Sequence, residues 1–146
     1  MKKLLPQANS LSTVIDVFIY IATTNNWTMN DVADFCKFNP RQSAYYVNAC
    51  HYLGLIDNES KLTDLGQDII SSPEKIKERV FECVISDHLI SKIFAYLLIE
   101  GDSKIKEYTI RVLEKEYPEY GEAVILRRTS TIVNWCLEIK LFIKKR

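Results

Sequence analysis

The 146-residue chain carries 19 Lys and Arg against 19 Asp and Glu, so its formal net charge is zero, with 47% hydrophobic and 26% charged residues. This is the composition of a folded chain, too apolar for disorder and too poor in Gly and Pro, four of each, for a collagenous or linker-like polymer. The longest apolar run, Ile93 to Ile99, is far below the roughly 20 residues of a membrane span. The charged start Met1-Lys-Lys has no long apolar stretch behind it, so a cytoplasmic protein is expected.

In chain order, Ser12 is expected to cap a helix bearing Val14, Ile15, Val17, Phe18 and Ile21, ended by the polar run 23–26. Thr28-Met-Asn-Asp31 reads as a capping box opening a short helix. Asn39-Pro40-Arg41-Gln42 is a second start signal: a cap residue, then Pro at the first helical position. The helix it opens should stop at Gly54 in a left-handed cap. Leu55-Ile-Asp57 and Lys61-Leu62, flanking Asn58-Glu-Ser60, read as a short hairpin, and Thr63 caps the next helix. Helix, helix, tight turn, helix, hairpin is the order of a winged helix-turn-helix.

Ser72-Pro73 starts a second helical stretch. Ser86-Asp87 opens a helix stopped by Gly101, and Ser103 caps another, stopped by Tyr117-Pro118. A long helix follows Gly121, and the tail from Lys140 alternates loosely, as a wing strand would. Arg41-Gln-Ser-Ala-Tyr-Tyr-Val-Asn-Ala-Cys50 aligns without gaps on Arg127-Arg-Thr-Ser-Thr-Ile-Val-Asn-Trp-Cys136, matching Arg, Val, Asn and Cys. The expected architecture is therefore mainly α with short β wings, a tandem winged helix-turn-helix with units at 1–72 and 73–146.

Each unit would present one helix, Arg41–Leu53 or Leu126–Leu137, whose polar face can enter a groove. Arg holds guanine and Asn or Gln holds adenine at major-groove edges, and a Tyr hydroxyl reaches phosphate. The candidate DNA-facing residues are Arg41, Gln42, Tyr45 and Asn48 in the first helix, and Arg127, Arg128, Thr131 and Asn134 in the second. One of Tyr45 and Tyr46 is expected in the core. Residues 127–146 hold six basic groups and one acidic, a patch that a polyanion would seek. The competing reading is a protein-interaction or dimerisation module, using Tyr45, Tyr46, Tyr52, Tyr117 and Tyr120.

No enzyme is expected. The glycines, at 54, 66, 101 and 121, are too far apart for any phosphate-binding loop. Cys36, Cys50, Cys83 and Cys136 lack the paired spacing of zinc ligands, so neither a metal nor another cofactor is expected. They read as reduced, mostly buried thiols.

The segment Arg41-Gln-x-x-Tyr-Tyr-x-Asn-Ala-x-x-Tyr-Leu-Gly-Leu-Ile56, with Lys61-Leu-Thr-x-x-Gly66, resembles the winged-helix domains attached to restriction endonucleases of bacterial defence systems. Leu126-Arg-Arg-x-Ser-Thr-x-x-x-Trp135 is similar to a second motif of the same modules. The resemblance implies tandem winged helices that read double-stranded DNA for a nuclease domain or subunit, with Arg41, Gln42, Tyr45, Arg127, Arg128 and Thr131 facing the DNA. The PD-(D/E)xK core of such nucleases is present only as fragments, Pro73-Glu-Lys75 and Glu138-Ile-Lys140. A recognition part without cutting activity, or a regulator, is therefore expected.

Overall fold

A computed structural model describes residues 4–145. They form α1 (Leu11–Thr23), α2 (Met29–Cys36), α3 (Pro40–Tyr52), α4 (Asp64–Ile70), a 3-10 turn (Pro73–Lys75), α5 (Ile76–Ile85), α6 (His88–Glu100), α7 (Ile105–Glu116) and α8 (Glu122–Lys144). Among the described residues no helix is long and apolar enough to cross a membrane.

Local capping chemistry sets many of the boundaries. The Thr28 hydroxyl accepts the Asp31 amide while the Asp31 carboxylate accepts the Thr28 amide, so the capping box closes in both directions. Asn39 Oδ1 accepts the Gln42 amide, ahead of Pro40 in the first turn of α3. The far end of α3 is a Schellman turn. Gly54, at φ +76°, donates to the His51 carbonyl, and Leu55 donates to the Cys50 carbonyl. Two expected caps move. The side chain that caps α1 is Ser10, not Ser12, and α7 begins after Lys104 with no side-chain cap from Ser103.

The expected β wings are not formed, and the fold is all-α. Among the described residues there is no strand, only one isolated antiparallel bridge between Ile56 and Leu62. The reason lies in Asp57. Its Oδ1 accepts the amides of Glu59 and Lys61, and Ser60 turns through a left-handed φ of +62°. The turn thereby diverts the Lys61 amide to a side chain, and of the backbone pairing between these two residues the Asp57 amide on the Lys61 carbonyl, at 2.8 Å, is what remains. Thr63 then donates its amide to the Leu55 carbonyl and its hydroxyl to Gly54, and caps α4 at once. The tail from Lys140 is not a strand either. No glycine or proline interrupts α8 before Lys144, and Ile139 and Phe142 pack on the core.

Two three-helix arrangements remain without wings. The helices α1, α2 and α3 pack on one another, as do α6, α7 and α8. They share one core, since buried residues from Leu5 to Ile139 form a single cluster and α1 touches α4, α5 and α8. Polar bonds reinforce the join. On α8, Thr131, Trp135 and Glu138 fall at i, i+4 and i+7, one face of the helix. Thr131 Oγ1 meets Asn9 Oδ1 at 2.7 Å, and Trp135 Nε1 donates to the Ala8 carbonyl at 2.7 Å. Glu138 accepts the Leu11 and Ser12 amides at 2.7 and 3.0 Å, placing a carboxylate on the positive end of α1. A second join runs through Asp87, whose Oδ1 caps α6 while its Oδ2 accepts the Tyr52 hydroxyl of α3 at 2.7 Å.

Trp135 is wholly buried. Trp135→Ala should lower unfolding stability by about 3–5 kcal/mol, and Glu138→Gln by about 0.3–1 kcal/mol, the scale of one charge on a helix end. Denaturant titration reads both. Only the first should also expose the amides of residues 8–12 to rapid hydrogen exchange.

Candidate functional site

The segment before α1 lies between the two arginine-bearing helices. Its Gln7 and the Tyr45 ring of α3 line two adjoining recesses. The first, about 310 Å³, is lined by Gln7, Asn9, Gln42, Tyr45, Arg127 and Ser130. The second, about 430 Å³, includes Pro6, Gln7, Tyr45, Asn48, His51 and Arg128. No carboxylate lines either recess. Sequence-distant residues of α3 and α8 thus meet on one face.

The eight expected residues divide as follows. Gln42, Tyr45, Asn48, Arg127 and Arg128 line the recesses. Arg41 is exposed at their edge, its Nε donating to the Tyr45 hydroxyl at 3.1 Å. That bond, four residues along α3, holds the guanidinium along the helix. Asn134 is exposed but lies outside both recesses. Thr131 is withdrawn: it is fully buried, and its hydroxyl is taken by Asn9. The helix face that was to meet DNA is rotated here by the need to cover Trp135.

Of the tyrosine pair, Tyr46 is the one that packs. It stacks on Phe38 at 5.1 Å, and its hydroxyl accepts the Ser10 amide. Tyr52 and Tyr117 are buried, so the five tyrosines do not form an aromatic contact surface. Within the described residues the basic run from Arg127 is not one patch, and Arg146 lies outside them. Lys140 is spent on Asp102 at 2.6 Å, and Lys144 lies about 25 Å along the helix axis from Arg127 at 1.5 Å per residue.

Arg128 is the unusual member. Its guanidinium lies over the Tyr120 ring, 5.8 Å from the centroid, a cation–π contact. Its Nε and Nη1 are buried and meet no hydrogen-bond acceptor among the described residues, and the Tyr120 hydroxyl is equally unsatisfied. Burial lowers the basicity of this guanidinium. Tyr120 opposes that shift and Arg127 adds to it. None of Arg41, Arg127 and Arg128 has a carboxylate within 4.0 Å among the described residues. The positive charge on this face is therefore uncompensated locally. Gln7 and His51 belong to the site and were not anticipated, and Tyr120, expected only as a protein-contact residue, joins it beneath Arg128. The one available signal was the spacing of Tyr120 and Arg128 across a helix start.

The four thiols are free. Burial pushes Cys50 and Cys136 up to about 12 and raises Cys36 and Cys83 as well, so none is a poised nucleophile.

A family model described as a domain of unknown function, DUF7226, matches residues 13–141, and the chain belongs to that family. No curated protein and no solved structure matches the chain.

The thiols make stability fall in alkali. An unfolded thiol loses its proton at about 8.5, whereas folded Cys50 and Cys136 hold theirs to about 12. The unfolded state therefore binds fewer protons across that window, and stability declines as pH rises through it. The double variant Cys50→Ala, Cys136→Ala should show a shallower decline between those limits by denaturant titration. An unchanged slope would assign it to Tyr52, whose proton is held in the same direction by burial and by Asp87.

Proposed function

We propose that this all-helical chain binds double-stranded DNA through the composite face made by α3 and α8. The carrying observation is the convergence of Arg41, Gln42, Tyr45, Asn48, Arg127 and Arg128 on a surface whose two recesses hold no carboxylate. Without wings, the division of labour follows from which side chains stand free. The exposed face of α3, with Arg41, Gln42 and Asn48, offers the donors and acceptors that suit base edges in a major groove. Arg127 and Ser130, exposed early in α8, suit the backbone beside that groove, since a point charge and a hydroxyl grip phosphate whatever the sequence. The start of α3 adds the Arg41 backbone N–H, since Pro40 has none and the Gln42 amide is held by Asn39.

Electrostatics sets the scale. The net charge is zero and the free cations are few, so the chain lacks a long-range attraction to polyanions. About two phosphate contacts give a salt slope of about −1.8, an approximately tenfold loss of affinity between 50 and 200 mM salt. Any tight binding must therefore come from base contacts at a preferred sequence. The protein-interaction reading loses part of its support, because two of its five tyrosines, Tyr52 and Tyr117, are buried.

Selection of duplexes from a random pool, followed by anisotropy titration at the two salt concentrations, tests the reading. Arg127→Ala should weaken all duplexes alike and reduce the salt slope by about 1, and Arg41→Ala or Gln42→Ala should relax preference at one position by about 1–3 kcal/mol. Absence of binding at low salt overturns the proposal.

A further inference from the structure

Pro6, Tyr45, Asn48, His51 and Arg128 line an open recess of about 430 Å³. This is the size of a small-molecule site and too large for a bare oxyanion. Its walls differ in chemistry. Leu5 and Pro6 face the recess from the segment before α1, and the Tyr45 ring adds an aromatic surface from α3. Asn48, His51 and Asn58 contribute amide and imidazole groups. Arg128 supplies donors that no acceptor among the described residues meets, with the Tyr120 hydroxyl similarly unsatisfied under the guanidinium. Buried polar groups of a folded chain are ordinarily paired, so the two covered nitrogens leave the hydrogen-bonding capacity of Arg128 unspent, and a guanidinium on the wall of a recess is shaped for phosphate. An apolar and aromatic wall with amides beside it is what a nucleobase needs, stacking on one side and edge hydrogen bonds on the other.

We propose that this recess binds a nucleoside 5′-phosphate, with the phosphate on Arg128 and the base against Tyr45 within reach of Asn48 and His51. The same chemistry is carried by a free mononucleotide and by the phosphorylated 5′ end of a strand. Binding itself does not require the duplex reading. Where that reading also holds, the shared residues Tyr45 and Asn48 make the nucleotide and the duplex groove compete.

Calorimetric or NMR titration of the full chain with 2′-deoxyadenosine 5′-monophosphate, the matching nucleoside and inorganic phosphate tests the assignment. The monophosphate should bind with a Kd below about 1 mM, and the other two at least about tenfold more weakly. Arg128→Ala should remove binding, and Asn48→Asp, at an exposed position that tolerates substitution, should weaken it about tenfold by taking the amide donors from the base edge and adding a negative charge to a recess that an anion must enter. Arg111→Ala, exposed on α7, should bind as the parent does. Melting temperatures confirm that each variant folds, and Asn48→Asp carries the test where Arg128→Ala does not fold. No binding of the monophosphate, equal binding of inorganic phosphate, or binding indifferent to both variants overturns the proposal. A short duplex with 5′-phosphate ends, compared with the same duplex ending in hydroxyls, separates the sources. An Arg128-dependent preference for phosphorylated ends points to strand termini, and its absence alongside monophosphate binding points to the free nucleotide. Monophosphate binding without any duplex binding sinks the DNA reading and leaves this one standing.

Discussion

The bonds from one face of α8 to residues 8–12 organise everything else in this molecule. Trp135 is the largest fully buried side chain, and an indole N–H in a core must find an acceptor. It finds the Ala8 carbonyl, and Thr131 and Glu138 hold the chain on either side of that contact. Glu138 acts twice: it anchors the segment, and it neutralises the free amides that open α1. Removing the tryptophan would leave a cavity and an unpaired carbonyl together, and would detach the strap that lies between α3 and α8.

That strap is why two helices distant in sequence share one functional face. Gln7 borders both recesses, with Tyr45 of α3 on one side and Arg127 and Arg128 of α8 on the other. The Asp87 carboxylate supports the arrangement from behind, since it caps α6 and holds the Tyr52 hydroxyl of α3 at once. The two arginine clusters are therefore placed by one core. They cannot be re-spaced as the heads of two linked domains can, and any polymer that meets them meets them at a fixed separation.

Local chemistry was legible in the sequence. Thr28 with Asp31, Asn39 with Pro40, Asp87 and Gly54 each act within a few residues, and each marks a helix end in the structure. What could not be read acts over distance. Thr131 looked available because its partner, Asn9, lies 122 positions away in a segment without hydrophobic periodicity. The wings failed for a different reason. The residues at 55–62 have the alternation of a hairpin, but Asp57 satisfies the turn amides with its own carboxylate and leaves one residue pair to bridge. Gly66 shows the same limit, since a β-carbon there would collide with the Leu55 carbonyl, a close approach that no spacing pattern announces.

The repeat between residues 41–50 and 127–136 takes on a particular meaning in this light. Val47 and Cys50 are in the core, and so is Cys136, while Val133 packs against it. Asn48 and Asn134 are both exposed, as are Arg41 and Arg127. The two copies thus preserve inside and outside in register. They diverge where Tyr45 lines both recesses and Thr131 is buried, and again at the position after the first arginine. Gln42 is exposed, whereas Arg128 is drawn half inward over Tyr120, giving up solvent for an aromatic face that only partly compensates a guanidinium. A half-buried cation with two covered, unpaired nitrogens works against the fold, and helix packing alone would favour an apolar residue at that position. Its retention on the wall of a recess without a carboxylate is the feature that packing does not account for, and an incoming anion would reverse its cost.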